Sequence, residues 1–329
     1  MDPVDAPPRT APGAWTSLTP TGCYAPAPGP APAPEVGSPA HVSSTVRRLS
    51  GSQVSRGIET RGTSQVDSGT DKLLVAVESG MARVTFNNPA KHNALSVDML
   101  AALPPVLSAL QDDPDVRVVV VTGAGERAFA SGADISEFGE QRTSPEARAG
   151  YDRHMAEAAR AWAAMDKPVI AMIRGYCMGG GLLTAMQADI RMASDDSQFA
   201  VPAARLGLGY GYAGVTALAD LVGPAWTAEI LFSARRLSAA EAVRIGLVNR
   251  VVAGEELEGE VVALARAIQA NAPLTVAACK VAIREARRDP DGRDLAHVAR
   301  LVEACFRSQD YLEGQRAFEE KRPPRFTGR

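Results

Sequence analysis

Apolar and polar positions divide this chain into two unlike parts. From about residue 71 onward, short strand-like runs alternate with longer helical ones, whereas Met1–Thr70 shows neither period. Leu73–Glu78 and Met81–Phe86 flank Ser79-Gly80 and predict a β-hairpin. Asn87–Asn93 is a turn, and Ser96 can cap a helix to about Gln111 that Pro104 and Pro105 should bend or break. Val116–Thr122 is a continuous apolar strand, the pattern of one buried on both faces. Residues 123–138 read as a loop with a short strand, Pro145–Met165 as a helix, and Pro168–Ile173 as a strand. A Gly loop, a helix over about 180–187 and a strand at Asp189–Ala193 follow. Phe199–Gly214 reads mostly as loop, with helices at about 215–222, 224–232 and 238–245 and a last strand at Leu247–Val252. From Glu255 the chain is nearly all helix, with breaks near Pro273, Asp289-Pro290 and Ser308. Alternating strands and helices followed by a helical final third indicate an α/β core with a helical appendage.

Composition changes the picture at the N-terminus. Residues 1–70 are rich in Pro, Ala, Gly, Ser and Thr. Such a segment cannot bury enough apolar area to offset its chain entropy, and it reads as a disordered, partly polyproline-like tail. No apolar run of about 7–15 residues follows a basic start, so it is not read as a secretory signal. The rest of the 329 residues suffices for one sizeable core. No apolar run reaches about 18 residues, so no membrane span is expected. The net charge of −3, with both signs interspersed, gives no case for nucleic acid. Cys23, Cys177, Cys279 and Cys305 lack metal or disulfide-scaffold spacing, which fits a reducing cytoplasm.

The candidate chemistry centres on residues 175–190, GYCMGGGLLTAMQADI. Gly179, Gly180 and Gly181 join a strand-like run to a helical one. Glycine lets the backbone approach a ligand closely, and the first amides of a helix have no intrahelical partner. The arrangement places N–H donors where an oxyanion can form. Cys177 precedes the loop without a nearby His and reads as a small buried residue. His154 lies on a helix and reads as solvated. No His, Cys and carboxylate cluster has metal-ligand spacing, and GxGxxG is absent.

Five segments, in this order and spacing, resemble the crotonase superfamily, the enoyl-CoA hydratase/isomerase family. They are NPAKHNALS at 88–96, AFASGADISEF at 128–138, KPVIAMIRGYCMGGGLLTAMQADIRMAS at 167–194, LSAAEAVRIGLVNRVV at 237–252 and FEEKRPPRF at 318–326. The resemblance implies a crotonase-like (ClpP/crotonase) α/β spiral of ββα units over 71–254, with a helical trimerisation region at 255–329. It implies an acyl-CoA substrate, no cofactor beyond that CoA moiety, and a homotrimer or dimer of trimers. By position, the backbone amides of Ala133 and Gly180 would hold the thioester oxygen and stabilise an enolate. Lys91, His92, Asp134, Ile135 and Lys321 fall where CoA would be contacted, although Asp134 equally reads as a structural residue fixing its loop and each lysine as a surface residue.

The chain departs from the hydratase pattern at both catalytic acids. Leu183 stands two residues after the Gly triplet, and Ala203 ends Phe199-Ala200-Val201-Pro202-Ala203; the hydratase branch carries glutamate at both places. Ordinary hydration is therefore not expected. The groups available to replace them are Tyr210, Tyr212, Arg205 and Thr184. Leu206–Tyr210, LGLGY, resembles the L-G-x-x-Y of methylmalonyl-CoA decarboxylases in the superfamily. This leaves three readings: an enolate-forming acyl-CoA enzyme, a malonyl-type decarboxylase using Tyr210, and an acyl-CoA-binding protein without turnover.

Overall fold

The computed structural model describes residues 64–134 and 145–329. The predicted hairpin forms from β2 (Leu73–Glu78) and β3 (Met81–Phe86), and a short strand, β1 (Ser64–Val66), pairs antiparallel with β2. The first described strand therefore falls within the stretch assigned to the tail. Ser64 and Gln65 are exposed, so β1 is held by pairing with β2 and by Val66, which packs against the core. Residues 1–63 lie outside the described residues.

From β3 onward the main sheet is parallel. It continues through β4 (Val118–Gly123), β6 (Val169–Ile173), β8 (Ile190–Ser194) and β11 (Arg250–Val252), in spatial order β1-β2-β3-β4-β6-β8-β11. A second sheet takes β5 (Ala128–Ala130), β7 (Tyr176–Met178), β9 (Gln198–Ala200) and β10 (Leu237–Ser238), in the order β10-β9-β7-β5. Each turn of the chain thus gives one strand to the large sheet and the next to the small one: β4 then β5, β6 then β7, β8 then β9. This is the expected spiral of ββα units.

The valine run of β4 is buried on both faces, as its pattern requires. Val119 and Val121 join the principal core with Leu103, Leu107 and Trp162. Val118 and Val120 face a second core with Ile170, Met172, Leu257 and Val261.

The first helix, α1 (Val97–Asp112), runs unbroken through Pro104 and Pro105, against expectation. Its buried face of Met99, Leu100, Leu103, Val106, Leu107 and Leu110 holds it on the core, and burial on that scale outweighs the lost backbone hydrogen bonds. The next helices are α2 (Pro145–Ala164) and the short α3 (Gly180–Ala185). Phe199–Gly214 is less irregular than expected, because residues 202–206 form a 3-10 turn and α4 begins at Tyr212.

That helix, α4 (Tyr212–Ser233), is interrupted by Gly223, whose backbone is non-helical at φ 76°, and by Pro224, giving the expected pair of helices. By length and composition alone α4 would suffice to cross a membrane, although no unbroken apolar run of that length is present in it. Asp220 and Glu229 interrupt its apolar sequence, and Leu218, Val222, Thr227 and Ile230 pack it onto this protein's core. Ser238 then caps α5 (Ala239–Arg244) in a reciprocal capping box with Glu241.

The C-terminal third forms α6 (Leu257–Gln269), α7 (Pro273–Ala286), α8 (Leu295–Phe306) and α9 (Gln309–Glu319). Pro273 opens α7, Pro290 lies in a 3-10 turn, and Ser308 caps α9. This region is tied to the sheet layer: Arg117 donates to the carbonyls of Gln269 (3.2 Å) and Phe326 (2.7 Å), and Lys280 pairs with Asp189 at 2.8 Å. The described residues belong to one compact unit that includes 255–329.

Candidate active site

Two loop crossings build the centre of the site. At the first, Leu95 donates to the Gly132 carbonyl (2.7 Å) and accepts from the Asp134 amide (3.0 Å). These are the two bonds of a parallel bridge between Leu95 and Ala133, and they leave the Ala133 N–H on the opposite side. At the second, Gly179 turns the chain out of β7 with φ 51° and ψ −117°, anchored by its N–H on the Ala200 carbonyl at 2.8 Å. The Gly180 N–H then opens α3 with no intrahelical acceptor. Each donor follows a glycine at positive φ, since Gly132 sits at φ 108°. Among the described residues neither N–H has an acceptor.

The two amides are close neighbours. A Cβ built on Gly180 would stand 3.7 Å from the Ala133 nitrogen, and one on Gly132 would stand 3.7 Å from the Gly180 nitrogen. Gly181 serves packing instead: a Cβ there would lie 2.2 Å from the Ala130 carbonyl oxygen.

Both donors open onto a cavity of about 520 Å³. Leu183 and Ala203 both line it. Tyr210 lines it as well, and its hydroxyl is buried without a hydrogen-bond partner. Burial raises the phenol above its ordinary range, so it stays protonated at neutral pH. Thr184 also lines the cavity, but its hydroxyl donates back to the Gly180 carbonyl at 3.0 Å. The described lining contains no Lys, Arg or His, and its only carboxylate is the exposed Asp152.

Other candidates fall elsewhere. Tyr212 is 84 % exposed and does not line the cavity. Arg205 is exposed and lines a neighbouring pocket with His92, Tyr176 and Arg236; the two pockets share Ser131 and Pro202. His92 sits edge-on to Tyr176 with ring centroids 5.9 Å apart. Lys91 pairs with Asp134 at 2.8 Å, and Asp134 is 4 % exposed, which fits the structural reading of that aspartate. Lys321 is exposed just beyond α9 and lines neither pocket within this chain. His154 lies beside Glu157 at 3.5 Å, half-buried rather than solvated. Cys177 is fully buried, and burial pushes its thiol well up, so it is inert as a nucleophile. Ile135 lies outside the described residues. Among the described residues no group of His, Cys, Asp and Glu is arranged to hold a metal.

The wall opposite the glycine turns comes from α2, which sequence reasoning missed. Tyr151, Met155, Ala158 or Ala159, and Trp162 recur at helical spacing and all line the cavity. That stripe is visible in the sequence but reads equally well as core.

Two unpaired amides converging on an apolar cavity within a ββα spiral narrow the choice of family, and comparison with known proteins decides it. The family model for enoyl-CoA hydratase/isomerase matches residues 76–329. The chain belongs to this family. Relatives of this enoyl-CoA hydratase/isomerase family member include a short-chain-enoyl-CoA hydratase of Clostridium acetobutylicum, 36% identical over 252 residues, covering 77% of this chain and 96% of that protein. A crotonyl-CoA hydratase of Syntrophomonas wolfei is 36% identical over 259 residues, covering 79% and 99%. Among solved structures, an enoyl-CoA hydratase/isomerase family protein of Hyphomonas neptunium superposes with a TM-score of 0.75 at 36% identity, covering 80% of this chain and all of that one. An enzyme acting on CoA thioesters is thereby supported.

Proposed function

We propose that this family member holds the carbonyl oxygen of an acyl-CoA thioester on the Ala133 and Gly180 amides while an enolate forms. The observation that carries the reading is the pair of unpaired N–H groups facing one cavity, each preceded by a glycine at positive φ. A donor of this kind contributes ~3 kcal/mol to a transition state that carries charge on oxygen. Leu183 and Ala203 offer no group to activate water or to protonate the α-carbon, so hydration of enoyl-CoAs is slow. Tyr210, kept neutral by burial and without a competing partner, gives a proton to the α-carbon of the enolate, and solvent reprotonates the phenolate. The exposed Leu295, Phe306, Leu312 and Phe318 of α8 and α9 support assembly into trimers through this region.

A second reading, decarboxylation of a malonyl-type thioester, rests on the unpartnered Tyr210 hydroxyl in a cavity whose described lining has no cation. The bond from the α-carbon to the carboxylate breaks, its electron pair passes into the thioester enolate, and CO₂ leaves. Tyr210 then protonates the α-carbon, and solvent returns a proton to the phenolate. No base is needed, which suits a site with neither glutamate.

The test is a mass-spectrometric screen of the purified protein against crotonyl-CoA, longer enoyl-CoAs and malonyl-type CoAs. Enolate-dependent turnover with poor hydration supports the first reading, and CO₂ release without hydration the second. Hydration at ordinary enzymatic rates would sink the role given to Leu183 and Ala203. Tight binding without turnover would leave a binding protein.

A further inference from the structure

The cavity beside the two amides holds far more than a four-carbon acyl group. It encloses about 520 Å³. A methylene takes up about as much room as one water of the liquid, ~30 Å³, so four carbons would fill roughly a quarter of that space. Its reach is long as well. Tyr151 and Trp162 of α2 both bound it, and the stretch of helix between them spans ~16 Å. The walls are mostly apolar, with Leu100, Met155, Leu183 and Val201 among them, and Ala159 and Ala203 keep them thin. Leu206 and Leu208 line the cavity too, yet they are 56 % and 43 % exposed. Large apolar side chains left open on a cavity wall are surface that a ligand can cover, and covering it is favourable by ~25 cal/mol per Å².

The chemistry of the walls selects the occupant. Water held against apolar walls lacks the polar partners that ordered water needs. The pantetheine arm of CoA carries amides that must be hydrogen-bonded, and a carboxylate would need a cation that the described lining lacks. An alkyl chain needs neither. Ten carbons would occupy ~300 Å³ at the same volume each, which leaves room for the thioester and the start of the pantetheine arm. The geometry points to CoA thioesters with an apolar acyl chain of about eight to twelve carbons as the substrate class. The thioester lies at the glycine turns, and the chain runs against α2 and is covered by Leu206 and Leu208. This rests on the reading that an acyl-CoA occupies the cavity, and it names the acyl group. Both reactions proposed above act on the carbons next to the thioester, so neither of them sets the chain length.

The experiment measures the affinity of saturated acyl-CoAs, from butyryl-CoA to tetradecanoyl-CoA, by calorimetry on the full chain. They lack the double bond or second carboxylate that the reactions above require, so binding is read without turnover. Affinity should rise by about two- to fourfold for each added methylene, burial being partly offset by ordering of the chain, and level off near ten carbons. In the wild-type protein labelled at its methionine methyl groups, the Met155 resonance should move further with decanoyl-CoA than with butyryl-CoA. This readout needs no variant. Ala159→Phe adds a ring to the α2 wall, and in the folded variant the affinities should level off at a shorter chain. Butyryl-CoA binding as tightly as decanoyl-CoA, affinity that falls beyond six carbons, a Met155 methyl that responds equally to both ligands, or an unchanged series in folded Ala159→Phe would each overturn the proposal. Failure of every thioester in the series to bind would instead remove the acyl-CoA reading on which it rests.

Discussion

Leu183 and Tyr210 meet above Gly214: a Cβ on that glycine would stand 2.9 Å from Leu183 Cδ2 and 2.9 Å from Tyr210 Cε1. The Leu183 side chain thus lies near the ring of the phenol proposed as proton donor. Gly214 leaves the room both need. If hydration is slow, as proposed, because residues 183 and 203 carry no acid, supplying acids there should raise it. Leu183→Glu combined with Ala203→Glu is expected to raise crotonyl-CoA hydration by ~10²-fold, the lower end of what general acid–base groups supply. Loss of the enoyl-thioester absorbance reports it directly. No gain in a folded double variant would mean that the cavity does not place water, whatever acids line it.

Tyr210→Phe separates chemistry from architecture. The hydroxyl has no partner, so its removal breaks no hydrogen bond and relieves a buried polar group. The variant should match the wild type in thermal stability or exceed it by up to about 1 kcal/mol. Its turnover should fall by ~10²-fold with acyl-CoA affinity unchanged, as for loss of a proton donor. Melting curves and steady-state kinetics on the same preparation check both halves. Full turnover would remove the tyrosine from the mechanism.

Adjacent glycines should fail in different ways. Gly180→Ala adds a methyl in ordinary contact with its surroundings, 3.7 Å from the Ala133 nitrogen. The fold should tolerate it, while the methyl intrudes beside the second donor and turnover falls by ~10²-fold or more, the loss typical of an oxyanion donor. Gly181→Ala would drive a methyl to 2.2 Å from the Ala130 carbonyl oxygen, which backbone cannot readily yield. Destabilisation of about 1–3 kcal/mol or more is expected. Denaturant titration beside kinetics distinguishes the two, and identical behaviour would contradict the division of roles.

The fold was legible wherever local pattern and tertiary placement agree. The β4 valines, the Ser79-Gly80 hairpin, the Gly223-Pro224 break and the helix boundaries near Ser238 and Ser308 are such places, because each is set by residues a few positions apart. Pro104 and Pro105 misled, because the buried face of α1 overrides their local cost. Ala133 and Gly180 are assigned as the amide pair through the family resemblance of the segments that hold them. The α2 wall could not be placed, since a helical stripe ending in Trp162 carries the same pattern whether it meets core or cavity. The Lys91–Asp134 pair joins residues 43 apart in sequence, and nothing local announces it.

Acid should loosen the C-terminal segment only as pH nears about 2. Arg322 holds Glu313 through two hydrogen bonds of 2.6 and 3.0 Å, and the Arg325 amide adds a third at 2.8 Å. The bonds from Arg322 chiefly, with the amide of Arg325, hold the Glu313 carboxyl at about 2 against an ordinary 4.5. A carboxylate whose pKa is lower folded than unfolded stabilises fully above the unfolded value. That contribution fades as pH falls from about 4.5 to about 2, when protonation ends the pairing with Arg322. Asp310 anchors the same segment by accepting from the amides of Thr327 (2.7 Å) and Gly328 (2.8 Å), so Glu313→Gln should loosen the stretch after Arg322 without releasing it entirely. In an NMR titration the Glu313 carboxyl carbon should move with a midpoint near 2, and the Arg325 amide should follow it. The Gln variant should show the loosened Arg325 signal already at neutral pH. A midpoint near 4.5 would mean that Arg322 does not hold Glu313 in solution.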